Sequence, residues 1–216
     1  GGCAGAAGMA FDDVGDMYVV NEADGHLYKF GAAGGFANPA TRVTATAYPL
    51  SWCSQELAFS ADFSRLYMTR QFCGNAGDVV EISKADGHVI RTVATGMRCA
   101  TGIAVDPLSG DLFVSSPCPP GGGTADIYRI SNPESATPTV SVFASPGHAQ
   151  GLAFTQDGTL WATPLHYGTT TRDIVKIAGT LAANPGAVTV LSTALLDAVA
   201  AITQVNENDP GNPDIL

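Results

Sequence analysis

The sequence predicts an all-β fold built from repeated four-stranded units, and three observations carry the prediction. The first is the stretch Gly151 to Ile177, reading GLAFTQDGTLWATPLHYGTTTRDIVKI. Its apolar run Gly151-Leu152-Ala153-Phe154, its Asp157-Gly158 turn and its second run Leu160-Trp161-Ala162 read as a hairpin. A third run, Asp173 to Ile177, alternates apolar and polar residues as a half-buried strand does. The second observation is recurrence. Phe11, Phe59, Val105, Phe154 and Ile202 close equivalent first runs at steps of 48, 46, 49 and 48 residues. The third is a fourth run in each unit: Arg42 to Tyr48, Val89 to Val93, Val140 to Phe143 and Val188 to Leu191. Four strands at such a period mark the blade of a β-propeller, because one four-stranded unit buries too little apolar surface to stand alone. A β-sandwich, the rival all-β fold, needs no self-similar period.

The units follow in order. Blade one spans about residues 8–48, from Gly8-Met9-Ala10-Phe11 through Met17-Tyr18-Val19 and His26 to Phe30. Its first turn is acidic, with Asp12, Asp13 and Asp16. Such carboxylates hold turn N–H groups, and a calcium site would need more oxygen ligands at one point. Asp24-Gly25 predicts a hairpin turn. Blade two spans about 55–95, opening on Glu56-Leu57-Ala58-Phe59, with Leu66-Tyr67-Met68 and Asp78 to Ile82 behind it. Blade three spans about 101–144, from Gly102-Ile103-Ala104-Val105 through Leu112-Phe113-Val114 and Asp126 to Ile130, with a Pro- and Gly-rich loop at 117–124. Blade four spans about 150–191. A weaker copy, Val199-Ala200-Ala201-Ile202, opens a partial fifth blade at 199–216, where Asp209 to Leu216 aligns with Asp106 to Phe113. Residues 194–204 also have helical spacing, so a short helix is the alternative there. The expectation is one domain, 1–216, of four full blades and part of a fifth. It would belong to a larger, six-bladed ring, or be completed by another chain, because an open strand edge invites pairing.

The pattern G-[IL]-A-[FV]-x-x-x-G-x-L-[YFW]-[VAM], over residues 8 to about 203, resembles the NHL-repeat and gluconolactonase-like (senescence marker protein) group of propellers. The resemblance implies the fold. That group includes enzymes, binding modules and scaffolds, so it does not choose among them. In the gluconolactonase-like members a divalent metal in the central channel is held by a Glu, Asn and Asp set from different blades. Glu56 is the acid at a matching position, but the family's Glu-Gly-Pro segment reads Glu56-Leu57-Ala58 here.

Composition narrows the partners. The 216 residues are 45% hydrophobic and only 14% charged, with a net charge of -10. That balance argues against nucleic acid and anionic membrane surfaces, which reward Lys and Arg. No apolar run is long enough to span a bilayer.

Register turns the cysteines and histidines into pairs. Cys53, Cys99 and His148 each lie five residues before the alanine of a first run, at Ala58, Ala104 and Ala153. Cys73, Cys118 and His166 lie five or six past the aromatic of a second run, at Tyr67, Phe113 and Trp161. These places share one end of an antiparallel pair. The expected disulfides are Cys53–Cys73 and Cys99–Cys118, each closing a loop worth on the order of 3 kcal/mol. They point to a secreted, periplasmic or cell-surface protein. A cysteine metal site is the rival reading, against which stands the lack of Cys-x-x-Cys spacing. Cys3 is left over. His148 and His166 read either as surface residues in place of a third disulfide or as a pair for metal binding or proton transfer. Asp78, Asp126 and Asp173 recur at third-strand starts, which suggests a structural hydrogen bond. His26 and His88 read as solvent-facing.

The resulting expectation is an extracytoplasmic binding or structural module, its ligand a protein, a small molecule or a carbohydrate. The alternative is a metal-dependent, lactonase-like hydrolase or a lyase at the channel mouth. Its metal would be calcium or zinc, held by candidates His148, His166 and Glu56, with His148 or His166 as catalytic residues.

Overall fold

The computed structural model describes residues 6–36, 40–48, 52–72, 76–117, 125–147, 149–163 and 174–190. They form four four-stranded antiparallel sheets, each strand pairing with the next in sequence. Blade one holds β1 (Ala6–Phe11), β2 (Met17–Asn21), β3 (His26–Phe30) and β4 (Thr41–Arg42). Blade two holds β5 (Trp52–Phe59), β6 (Leu66–Phe72), β7 (Ala76–Ile82) and β8 (Val89–Met97). Blade three holds β9 (Ile103–Val105), β10 (Leu112–Ser116), β11 (Ala125–Ser131) and β12 (Thr139–Gly147). Blade four holds β13 (Leu152–Phe154), β14 (Leu160–Ala162), β15 (Val175–Ile177) and β16 (Val188–Val190). The first strands β1, β5, β9 and β13 adjoin one another in turn, so the blades are arranged as a β-propeller with these strands innermost.

The expected runs coincide with strands except at the rim of blade one. There β4 is only two residues long. Val43 to Tyr48 leave the ladder, and the Val43 and Tyr48 N–H groups bond the Leu27 and Gly25 carbonyls. The partial fifth blade and the helical alternative at 194–204 lie outside the described residues.

Alternation explains the core. Along each second strand one residue faces the blade behind and the next faces the blade ahead. Tyr67, Ala58 and Val79 thus pack forward against Ile103, Leu112 and Val114. Phe113, Ala104 and Ile127 pack forward against Leu152, Phe154, Leu160 and Ala162. Tyr18 and Val20 meet Leu57, Phe59, Leu66 and Met68. The core is therefore a set of seams between blades. Phe113 stands edge-on to Phe154 across its seam, with ring centroids 5.0 Å apart.

Two polar devices accompany the seams. At the lower end, where first strands end, an aspartate closes three of the turns by taking the N–H two residues ahead. Asp62 takes that of Ser64, Asp106 that of Leu108 and Asp157 that of Thr159, at 2.9–3.0 Å. Asp12 does the same for Val14 and also takes the N–H of Asp16, four residues ahead, and Lys29 bridges Asp12 and Asp16. At the upper end, hydroxyls at the ends of second strands reach the next blade. Thr69 donates to the Thr101 carbonyl, and Ser115 donates to the Gln150 carbonyl at 2.6 Å.

The inner strands come close enough there to dictate residue choice. A Cβ on Gly102 would stand 1.9 Å from the Gln150 carbonyl oxygen of the next blade. Gly110 has a φ of 76° and nothing near the place of its Cβ. Gly102→Ala is therefore expected to cost about 1–3 kcal/mol through overpacking. Gly110→Ala is expected to cost about 1 kcal/mol through backbone strain alone. Urea midpoints of the two variants check the order.

Candidate functional site at the upper end of the channel

The upper end is where first strands begin and second strands finish. The position before the first apolar residue of each inner strand is Gly8, Glu56, Gly102 and Gly151 in the four blades. Blade two thus places a carboxyl where the others place none. A break in register between Ser54 and Leu57 marks a β-bulge in β5, and β1 has a like break between Ala6 and Met9. Bulges re-aim side chains beside functional sites.

Glu56 is held at its carboxyl and at its backbone. Its Oε1 accepts the Met9 N–H of blade one at 3.2 Å. Its own N–H donates to Thr69 Oγ1 at 3.0 Å, and Thr69 in turn donates to blade three. Glu56 therefore sits where three blades meet. Burial among these inner strands raises its pKa from 4.5 to about 7, partly offset by the Met9 and Leu57 N–H groups. A carboxyl with that value exchanges protons at neutral pH, which an ordinary surface glutamate does not.

Glu22, just past β2 at the same end, is half-buried and is likewise pushed up to about 7 by desolvation. Sequence reasoning passed over it. The available signal was its place directly after a second strand.

Other sequence candidates resolve differently. Asp78 is buried and forms a two-pronged pair with Arg70, Nε to Oδ1 at 2.8 Å and Nη2 to Oδ2 at 2.5 Å. Asp126 accepts the Ser145 hydroxyl at 2.7 Å. Both are engaged structurally, but through side chains rather than the expected loop backbone. Asp173 lies outside the described residues. His26 is not simply solvent-facing: it is half-buried, with Nδ1 2.8 Å from Thr44 Oγ1, because Thr44 folds in beside β3. His88 is exposed beside Asp86.

Cys99 is buried and disulfide-bonded. Its partner lies outside the described residues, as do Cys3, Cys73, Cys118, His148, His166 and the side chain of Cys53. Among the described residues no group of three or more His, Cys, Asp and Glu is placed to hold a metal. No helix among them is long and apolar enough to cross a membrane.

No family model and no curated protein matches the chain. Solved structures match the fold. An aldose sugar dehydrogenase from Streptomyces coelicolor, solved with bound PQQ, is 18% identical with a TM-score of 0.63, covering 86% of this chain and 61% of that one. A streptogramin B lyase is 15% identical with a TM-score of 0.60, covering 87% and 54%. A gluconolactonase from Xanthomonas campestris is 15% identical with a TM-score of 0.58, covering 80% and 58%. The chain thus spans between half and two thirds of the length of these structures. At such identity the likeness establishes the fold, a resemblance to gluconolactonase-like propellers at the level of architecture.

The raised Glu56 pKa has a signed consequence. The fold favours the protonated acid. Its contribution to stability is full below pH 4.5 and is lost as pH rises through about 7. Urea unfolding between pH 5 and 8 should show this decline. Glu56→Gln should flatten it by on the order of 1 kcal/mol after allowance for solvent at the channel mouth. Glu22→Gln is expected to flatten the same window further.

Proposed function

We propose that this chain is part of an extracytoplasmic propeller that takes a small polar ligand at the upper mouth of its channel and acts on it as a hydrolase or lyase, with Glu56 as the proton-handling group. The observation that carries the reading is Glu56 itself. A carboxyl occupies a position that is glycine in the other three blades, on a bulge at the channel wall, and it titrates near neutrality. Above pH 7 it accepts a proton, from an attacking water in a hydrolase or from a substrate carbon in a lyase. Below that pH it returns one. Lyase and lactonase activities both occur on propellers of this architecture, which supports the reading at the level of fold. The disulfide at Cys99 supports an oxidising compartment.

The described residues do not by themselves fit a calcium or zinc ion. Glu56 supplies one carboxylate, short of the six to eight oxygens of calcium or the four ligands of zinc. No step is assigned to a metal. His148 and His166 remain candidates on register alone.

The second reading is a binding or structural module. Glu56 would then contact a ligand without turning it over, and the Arg70–Asp78 pair and the seam hydroxyls would serve only to hold the mouth rigid.

Glucono-δ-lactone and its ring-size analogues serve as probes. Hydrolysis followed with a pH indicator should show turnover that bends near pH 7 and falls about 100-fold or more in Glu56→Gln. Saturable binding by calorimetry without turnover would select the binding module. Neither turnover nor binding of lactone, carbohydrate, calcium or zinc would end the channel-mouth reading.

A further inference from the structure

The chain carries 20 acids against 10 bases, so a carboxylate is easily found for each base. The buried and half-buried cations among the described residues follow that rule with one exception. Lys29 meets Asp16, Arg65 and Arg91 share Glu81, Arg70 takes Asp78 and Arg129 takes Asp111. Lys84 donates to the Phe63 carbonyl at 2.6 Å. Arg98 is the exception. It is half-buried, and its guanidinium meets no carboxylate, carbonyl or hydroxyl among the described residues. Arg42 and Lys176 make no ion pair either, but both are exposed, where water satisfies them.

The turn that carries Arg98 is held at three points. It follows β8 at the upper end and leads toward the inner strand β9. The Ser116 hydroxyl, at the end of β10, donates to the Arg98 carbonyl. Gly77, at the start of β7, lies so close beneath that a Cβ there would stand 2.6 Å from the Ala100 nitrogen and 2.9 Å from the Met97 carbonyl oxygen. The residue after Arg98 is the buried, disulfide-bonded Cys99. A guanidinium on so firm a backbone is preorganised for a ligand. The same frame leads to Glu56. Thr101 lies three residues beyond Arg98, a stretch of chain no longer than about 11 Å. Its carbonyl takes the Thr69 hydroxyl, which also accepts the Glu56 N–H.

We propose that Arg98 recognises a carboxylate on the ligand, so that the molecule taken at the upper mouth is a monoanionic hydroxy acid or sugar acid. The proposal rests on the hydrolase or lyase reading for the place of reaction, at Glu56, and adds the class of substrate. A planar guanidinium meets a carboxylate with two parallel N–H donors, and partial burial strengthens that attraction over a surface pair. A phosphate dianion fits less well. It calls for a second cation, and the other upper-end arginine of blade two, Arg70, is already engaged with Asp78. The net charge of -10 also opposes a dianion more than a monoanion.

Calorimetric titration of the full chain with glucuronate, glucose and glucose 6-phosphate, which differ at one substituent, tests the proposal. Glucuronate should bind about 10-fold or more tightly than glucose. That preference should shrink as salt is raised to about 0.5 M. Arg98→Gln should erase the preference and leave thermal unfolding unchanged, since Ser116 bonds the backbone carbonyl there. Arg98→Lys should restore only part of it, lacking the fork of donors. Equal affinity for glucuronate and glucose overturns the proposal, as does a preference that survives Arg98→Gln. Tighter binding of glucose 6-phosphate than of glucuronate overturns it too, and so does binding of none of the three. The enzyme reading fails separately. Glucuronate binding that depends on Arg98, without turnover of glucono-δ-lactone, would keep the carboxylate site and remove the hydrolase. Lactone turnover that depends on Glu56, without a glucuronate preference, would do the reverse.

Discussion

The structure depends on how closely one inner strand approaches the next. At the seam of blades three and four the Gln150 carbonyl reaches so near to Gly102 that a methyl group would not fit, and Ser115 donates to the same carbonyl. The two facts are one constraint. A short side chain with a hydroxyl ends the second strand, glycine begins the inner strand, and the backbone between them is drawn against the neighbour. The apolar seam supplies most of the energy, since burying a Leu or Phe side chain is worth about 1.5–3 kcal/mol, against about 1 kcal/mol net for a neutral hydrogen bond. The hydroxyl supplies register. Apolar faces alone tolerate a slip along the seam, whereas a donor aimed at one carbonyl does not.

The same constraint explains why the architecture could be read from sequence and why the chemistry could not. Alternation in Leu112-Phe113-Val114 and the Gly-Leu-Ala-Phe pattern are local, and seam packing needs both, so the repeats carried the fold. The rim was less legible. Arg42 to Tyr48 alternates like a strand, but Tyr48 is captured by Gly25 and, through its hydroxyl, by the Gly87 carbonyl of blade two. That tertiary contact removes the segment from the ladder. At the upper end, Glu56 was visible as the odd residue in a glycine column. Its raised pKa was not visible, because it arises from desolvation of the carboxyl in the folded chain. Glu22 stayed hidden for the same reason: nothing in Asn21-Glu22-Ala23 distinguishes a half-buried acid from a turn charge. Asp78 looked like a backbone-capping residue because its recurrence in three blades hid its partner. Arg70, eight residues away on the adjacent strand, has no counterpart in the repeat.

Blade two therefore holds a buried and a half-buried acid at its upper end, Asp78 and Glu56, and comparison of their surroundings separates structure from chemistry. Asp78 is met by two nitrogens of a planar guanidinium, itself buried, which holds the carboxylate in place and leaves little for a ligand to displace. Glu56 has backbone N–H groups for company and low-dielectric walls around it. Those N–H groups favour the ionised form, but burial outweighs them and favours the acid. A group left near its midpoint in this way costs stability above pH 7, and a merely structural position would gain from glutamine or glycine there. Thr69 sharpens the contrast. Its hydroxyl holds the Glu56 backbone and the next blade together, so the strand that carries this costly side chain is firmly placed. Firm placement of an unpaired, ionisable carboxyl is the arrangement required of a group that must meet a ligand at a set distance.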